Sequence, residues 1–319
     1  MKAVILAGGG GTRLWPFSTE EKPKQFLKLF SNKTLIEETI ERLDFLQKSD
    51  IYISINKNHL SLTEKICENL KIPTSNIITE PDKRDTASAI GYAAAIIEKN
   101  HPGEVMALIS ADHYIGNKEE FQKKLQKAVQ IANNENTLNI VEVIAKTPNT
   151  NFGYVKLGKQ IDEDTYEIDK FTEKPDLKTA EEFLESGNYL WNTGMYVWKA
   201  SVLLEQYKKL KPETYTKLTE IVENPEKTEE IYPTLEKISI DYAIMERVDP
   251  KKIRIIKADI DWMDIGNWHT LYDILKNQNT TGDVHIVSAQ EMNQKKHEKH
   301  QADDITICID NNQAYLTKT

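Results

Sequence analysis

Val4-Ile5-Leu6-Ala7-Gly8-Gly9-Gly10-Gly11-Thr12-Arg13-Leu14-Trp15-Pro16 is the stretch on which the reading of the fold turns. Val4 to Leu6 read as a buried strand. Four glycines follow at once. They expose consecutive backbone N–H groups and let a ligand come close, which makes an anion-binding concavity. Arg13 adds a fixed cation whose planar fork suits phosphate oxygens. In an open α/β sheet, ligands bind at the carboxyl ends of strands, and this turn follows one. Neither common glycine signature is present. The chain holds no GxxxxGK followed by Ser or Thr. Positions 13 and 14, where GxGxxG would need glycine, are arginine and leucine. The turn is a phosphate loop of another kind.

Beyond the turn, strand-type and helix-type runs alternate. Leu35, Ile36, Ile40 and Leu43 recur at helical spacing, and 51–55 is a strand. Leu62, Ile66 and Leu70 mark a helix, 77–78 a short strand, 86–98 an alanine-rich helix and 105–109 an apolar strand. This order predicts an α/β fold with a mostly parallel sheet and helices on both faces. The middle is mixed, with strands expected at 140–144, 154–157, 166–171 and 195–198 and helices at 177–186 and 201–210. Pro212, Pro225 and Pro233 punctuate a polar helical stretch. A strand at 253–256 and a helix at 268–275 come last. The expected division is a catalytic domain over 1–278 and a small β-rich tail over 279–319, a reduced β-helix. In the tail, 284–287 and 305–309 read as strands, and the polar 290–304 as a solvated loop whose His297 and His300 hold no metal.

The 319 residues carry a formal net charge of −9, which argues against nucleic acid as a partner because a phosphate-tracking surface is basic. No apolar run is long enough to cross a bilayer and no secretory signal is visible, so a cytoplasmic protein without a membrane partner is expected. The two cysteines, Cys67 and Cys308, form no CxxC and no Cys/His cluster, which fits a reducing compartment.

The turn, followed by Lys22-Pro23-Lys24-Gln25-Phe26-Leu27, resembles the signature of sugar-phosphate nucleotidyltransferases. The Leu-Trp-Pro and Pro-Lys-Gln-Phe elements are most similar to those of mannose-1-phosphate guanylyltransferases, and the resemblance runs to about residue 275. It implies the Rossmann-like, nucleotide-diphospho-sugar transferase fold, with a mixed, mostly parallel sheet. It also implies transfer of GMP from GTP to mannose 1-phosphate, giving GDP-mannose and pyrophosphate. Two other readings are carried: a different sugar 1-phosphate or triphosphate, and a silent sugar-nucleotide-binding regulatory subunit. Short members of the family carry a β-helical tail used in dimerisation, so a homodimer is an expectation. No isomerase activity is expected.

Residue by residue, the resemblance implies the following. Ala7, Gly8, Gly9, Gly10, Gly11 and Thr12 cradle the triphosphate, with Arg13 and Lys24 on its charge. Glu80-Pro81-Asp82-Lys83-Arg84-Asp85-Thr86 resembles the base-pocket segment, with Glu80, Arg84, Asp85 and Thr86 as contacts. Read alone, Asp85 or Thr86 would be the N-cap of the alanine-rich helix. Asp85 replaces the family's usual asparagine, and an ionised aspartate can accept from guanine N1–H and its exocyclic amine. Asp112 in Ala111-Asp112-His113 and Asp264 in Asp264-Ile265-Gly266-Asn267-Trp268 match the family's metal aspartates and would hold Mg2+. Asp261 is the rival for the second position. Magnesium takes one or two carboxylates, with phosphates and water completing its shell. Glu173 and Lys174 match a Glu-Lys-Pro element that contacts the sugar and its phosphate. Asn192 in Trp191-Asn192-Thr193-Gly194-Met195 and Tyr154 after Gly153 match sugar contacts. Ser239-Ile240-Asp241-Tyr242-Ala243, followed by Met245-Glu246, matches a further element that alone would read as a capped helix.

Overall fold

The strand that feeds the glycine run, β1 (Lys2–Leu6), lies between parallel neighbours in the computed structural model, which describes residues 1–276, 281–310 and 313–318. The other described strands are β2 (Ile51–Asn56), β3 (Ile77–Glu80), β4 (Val105–Ser110), β5 (His113–Ile115), β6 (Leu138–Ile144), β7 (Gly153–Gln160), β8 (Thr165–Glu173), β9 (Tyr189–Lys199), β10 (Ile253–Ala258), β11 (Trp262–Asp264), β12 (Val284–Ile286), β13 (Lys299–Ala302), β14 (Ile305–Asp310) and β15 (Gln313–Lys318). They fall into two compact units. The first comprises Met1–Gly8, Phe45–Ser110 and Gly116–Ile260, and the second Gly9–Asp44, Ala111–Ile115 and Asp261–Thr319. The expected boundary at 278/279 lies outside the described residues.

The first unit is one mixed sheet in the order β3-β2-β1-β4-β9-β6-β10-β8-β7, and β7 also pairs with β9. The last five strands therefore close into a small barrel. The expected mostly parallel sheet is corrected here. β3-β2-β1-β4 and the β6–β10 pair are parallel, whereas β4–β9, β6–β9, β8–β10, β7–β8 and β7–β9 are antiparallel. For the β7–β8 pair the reason is connection length. Parallel neighbours need a crossover of a dozen residues or more, but only 161–164 separate β7 from β8, so that chain turns back as a hairpin.

Helices cover both faces of this sheet. Val4, Met106, Leu108, Leu138 and Ile140 share a core with Ile90, Ala94 and Ile97 of the helix Asp85–Asn100. Asn139 points the other way, its Nδ2 donating to Ala128 O in the helix Lys118–Glu135 at 2.8 Å. Adjacent strand residues face opposite sides, so the two helices do too.

The second unit is built around a different core. Leu14, Leu27 and Leu29 pack with Ile265, Trp268 and Leu271, and with Val284, Ile305, Ile307 and Leu316 of the tail. The tail strands form a sheet in the order β12-β15-β14-β13, of which only β12–β15 is parallel. A β-helix would stack parallel rungs, whereas β13, β14 and β15 form an antiparallel meander to which β12 adds in parallel. The expected loop over 290–304 contains structure as well. Ser288 and Glu291 form a capping box that starts the helix Ala289–Gln294, and β13 pairs with β14 as a mostly exposed edge. No helix among the described residues is long and apolar enough to cross a membrane.

Candidate active site

In the second unit the site grows from the turn. Gly11 takes φ +53, and its carbonyl accepts from Lys24 N at 3.3 Å. A Cβ on Gly11 would stand 2.5 Å from that same Lys24 nitrogen. Glycine is thus required twice over, by conformation and by the approach of backbone to backbone. Gly11→Ala should lower unfolding stability by about 1–3 kcal/mol, measured by denaturant titration. An unchanged midpoint would mean the turn relaxes freely.

Lys24, next to this contact, is almost fully buried. Its ammonium donates to Ile265 O at 2.6 Å and lies 3.0 Å from Asp112 and 3.6 Å from Asp264. The two aspartates, far apart in sequence, meet because β5 and β11 pair antiparallel with His113 opposite Asp264. Asp112 precedes the first of these strands and Asp264 ends the second, so both stand at one end of the ribbon. Asp261 is exposed, at φ +49 before β11, and is not among the ion pairs of Lys24. Arg13 is exposed; its Nη1 would lie 3.6 Å, and Asp264 Oδ2 3.5 Å, from a Cβ on Gly266, so the two share that surface.

Burial would raise the Asp112 carboxyl, but Lys24 and His113 more than offset this and hold it below the usual carboxylate range. The His113 imidazole is lowered, chiefly by burial, in spite of Asp112 and Asp264. Trp262 Nε1 donates to His113 Nδ1 at 3.1 Å, which leaves the proton of the neutral ring on Nε2. Arg42 braces the backbone here, donating to Thr39 Oγ1 at 2.6 Å and His113 O at 3.2 Å. The sequence reading missed Arg42. Its signal was a charged residue within the buried stripe of the helix Leu35–Arg42.

The first unit holds the other expected residues except Gly9, Gly10 and Thr12. Ala7 N donates to Ser54 O, and Gly8 ends this segment. Gly9, Gly10 and Thr12 belong to the second unit, where Gln25 Nε2 donates to Gly9 O at 3.1 Å. Asp85 opens its helix at φ +63, exposed, and accepts from Thr86 N at 2.6 Å. A non-glycine residue held at positive φ in a helix start is stored strain of the kind found at binding sites. The cap residue is Arg84 rather than Asp85 or Thr86; it pairs with Asp82 at 2.8 Å and its Nε is buried without a partner. Thr86 Oγ1 accepts from Ile240 N at 2.9 Å, tying the helix start to the turn that carries Asp241.

Asp241 was not among the expected site residues, yet it bonds to Asn192, a residue expected on the sugar. Its Oδ1 accepts from Tyr196 OH at 2.6 Å and Asn192 Nδ2 at 3.0 Å. Glu173 ends β8 with Oε2 buried and unpartnered, and its Oε1 holds the ammonium of Lys174, itself at φ +47. A Cβ on Gly153 would sit 2.4 Å from Glu173 Oε2 and 3.1 Å from Asn192 Cβ, so glycine makes the room in which these two groups meet. Burial, then Asp241, raise the Glu173 carboxyl.

Two expected contacts are braces instead. Tyr154 is fully buried and its hydroxyl donates to Asn149 O at 3.0 Å, so it holds the 147–149 loop. Glu80 is buried with both oxygens in use, accepting from Ser54 Oγ and Tyr232 OH at 2.8 Å each.

Comparison with known proteins bears on this arrangement. A family model described as nucleotidyl transferase matches residues 2–281. A mannose-1-phosphate guanylyltransferase of Escherichia coli is 36% identical over 298 residues, 88% of this chain and 64% of that protein. The chain spans less than two thirds of the length of the curated relatives it first matches. Among solved structures, one described as a mannose-1-phosphate geranyltransferase from Thermus thermophilus superposes with a TM-score of 0.78 at 29% identity, covering 90% of this chain and 82% of that one. One described as a mannose-6-phosphate isomerase from Helicobacter pylori gives 0.68 at 28% identity, covering 82% and 99%.

Proposed function

Because this chain belongs to the nucleotidyl transferase family, we propose that it transfers GMP from GTP to mannose 1-phosphate, releasing pyrophosphate and forming GDP-mannose. The observation that carries the reading is the convergence of Asp112 and Asp264 on Lys24, in the unit that also holds Arg13 and most of the glycine turn. The names of the relatives support mannose and guanine.

An oxygen of the sugar phosphate attacks the α-phosphorus of GTP. The new P–O bond forms as the bond from the α-phosphorus to the bridging oxygen breaks, and its electron pair leaves with pyrophosphate. The attacking phosphate is already ionised at neutral pH, so no general base is needed. The protein's part is alignment and charge neutralisation. We assign Arg13, Lys24 and the backbone N–H groups of the turn to the triphosphate, and Lys174 to the sugar phosphate. Glu173, Asn192 and Asp241 take sugar hydroxyls. Arg84, Asp85 and Thr86 take the base, with Asp85 accepting from guanine. Tyr154 and Glu80 support these groups from behind.

Asp112 and Asp264 fit Mg2+. They already share one cation, Asp112 is held ionised, and two carboxylates are what magnesium uses when phosphates supply the rest. Among the described residues no group of three or more His, Cys, Asp or Glu is arranged to hold a metal, in keeping with a site that substrate completes. When bound, the ion would neutralise phosphate oxygens and orient them.

The proposal extends to a nucleotide-diphospho-sugar transferase fold over 1–278 with a tail over 279–319, to a homodimer and to the cytoplasm. The two buried, free thiols Cys67 and Cys308 support a reducing compartment. The test is pyrophosphate release with Mg2+, crossing GTP, ATP, UTP and dTTP with mannose 1-phosphate and glucose 1-phosphate. Release confined to GTP with mannose 1-phosphate is expected. Release with another pair would move the substrate, and none with any pair would overturn the reading.

A further inference from the structure

Glu142 has no part in the chemistry above, yet it is a fully buried carboxyl group in the middle of β6. Its neighbours Val141 and Val143 pair with Met195 and Trp191 of β9, so Asn192, Thr193 and Gly194 stand opposite Glu142 alone. The surplus residues bulge from the ladder. Gly194 takes φ +71 and its N–H donates to Asn192 Oδ1 at 3.0 Å. Thr193 Oγ1 donates to Val141 O at 2.5 Å, and Thr193 N donates to Glu142 Oε2 at 2.7 Å. The middle N–H of the bulge is buried and outside the ladder; Glu142 is its acceptor. At one end of the bulge stands Asn192, bonded to Asp241.

We propose that Glu142 is a positioning residue for the hexose pocket, fixing the place of Asn192 through the Asn192–Gly194 bulge. The inference rests on the reading of Glu173 and Asn192 as the groups that take the sugar hydroxyls and Lys174 as the one that takes the phosphate.

The surroundings also set the state in which Glu142 works. Its Oε1 has no hydrogen-bond partner, and no Lys, Arg or His pairs with it among the described residues. The charged groups facing it are acids: Asp241 from the 241–245 turn and Glu173 from β8. Tyr196 of β9 donates its proton to Asp241, and the ammonium of Lys174 is held by Glu173. Burial, opposed by the Thr193 N–H and reinforced by Asp241 and Glu173, pushes the Glu142 carboxyl well above the ordinary range. The neutral acid is therefore the favoured form of Glu142, with Oε2 accepting from Thr193 N–H. It braces the bulge without adding a third negative charge where an anionic substrate must enter.

The experiment compares wild type, Glu142→Gln and Glu142→Ala. Glutamine is neutral and keeps an acceptor for Thr193 N–H, whereas alanine leaves that N–H unsatisfied. Glu142→Ala should raise KM for mannose 1-phosphate by about tenfold or more, with KM for GTP unchanged, and Glu142→Gln should bring it back towards wild type. A carboxyl raised in the folded state gives stability that is full below its unfolded pKa and is lost as pH climbs towards the folded value. The melting temperature of wild type should therefore fall relative to that of Glu142→Gln as pH rises above the ordinary carboxylate range. An unchanged KM in Glu142→Ala, an equal loss in Glu142→Gln, or parallel melting curves would overturn the inference. If wild type turns over no sugar phosphate, the proposed function fails. The melting comparison needs no substrate and still decides for or against the neutral acid.

Discussion

Asp112→Asn or Asp264→Asn should cut turnover by about 10²–10³-fold and leave the fold intact. Asparagine keeps the shape of the side chain and removes its charge. The ion pairs lost are 3.0 and 3.6 Å long and each carboxylate is part-exposed, so they contribute little to folding. Lys24 keeps the other carboxylate and its bond to Ile265 O. Turnover is different, because on the proposed reading charge developing on phosphate oxygens needs the Mg2+ that the pair of carboxylates would hold. The double variant should be little worse than either single one, since the two act as a unit. Pyrophosphate release and thermal unfolding on the same samples check this. Full turnover in Asp264→Asn would remove it from the site, and collapse of the fold in Asp112→Asn would make that residue structural.

Removing the tail should have an effect of another kind. The tail contributes Val284, Ile305, Ile307 and Leu316 to the core that contains Leu14, Leu27 and Ile265. Burying one such side chain stabilises by about 1.5–3 kcal/mol, so four amount to roughly 6–12 kcal/mol. The stability of a whole domain is about 5–15 kcal/mol. Leu14 follows Arg13 and Ile265 follows Asp264, so loss of this core would unseat the chemistry with it. A chain cut after residue 276 should be insoluble or unfolded in its second unit, seen as lost hydrogen-exchange protection over 9–44. A soluble, fully active product would show instead that the tail is a separate appendage.

The sequence made the parts of the site legible where a motif joins unusual residues in a fixed order, as in the glycine turn, Ala111-Asp112-His113 and the element around Asp264. Their meeting depends on β5 and β11, three residues each and too short to show a period. Strand direction was hidden because alternation is the same for parallel and antiparallel partners, and β7, β8 and β9 were recognised without it. Tyr154 and Glu80 show a further limit, since a polar residue within a motif can face the ligand or brace the wall behind it. Glu142 was invisible for the opposite reason. Between Val141 and Val143 it reads as the solvent face of a strand, whereas β6 is buried on both faces through residue 143.

The division of the chain into interleaved segments has a consequence for its birth. Residues 9–44 leave the ribosome more than two hundred positions ahead of 261–319, the segment whose apolar side chains close over theirs. At about 5–20 residues per second, that is a wait of roughly 10–45 s. For that time Leu14, Leu27, Leu29 and Leu35 lack the partners that bury them, so this segment stays exposed while the first unit is still being synthesised.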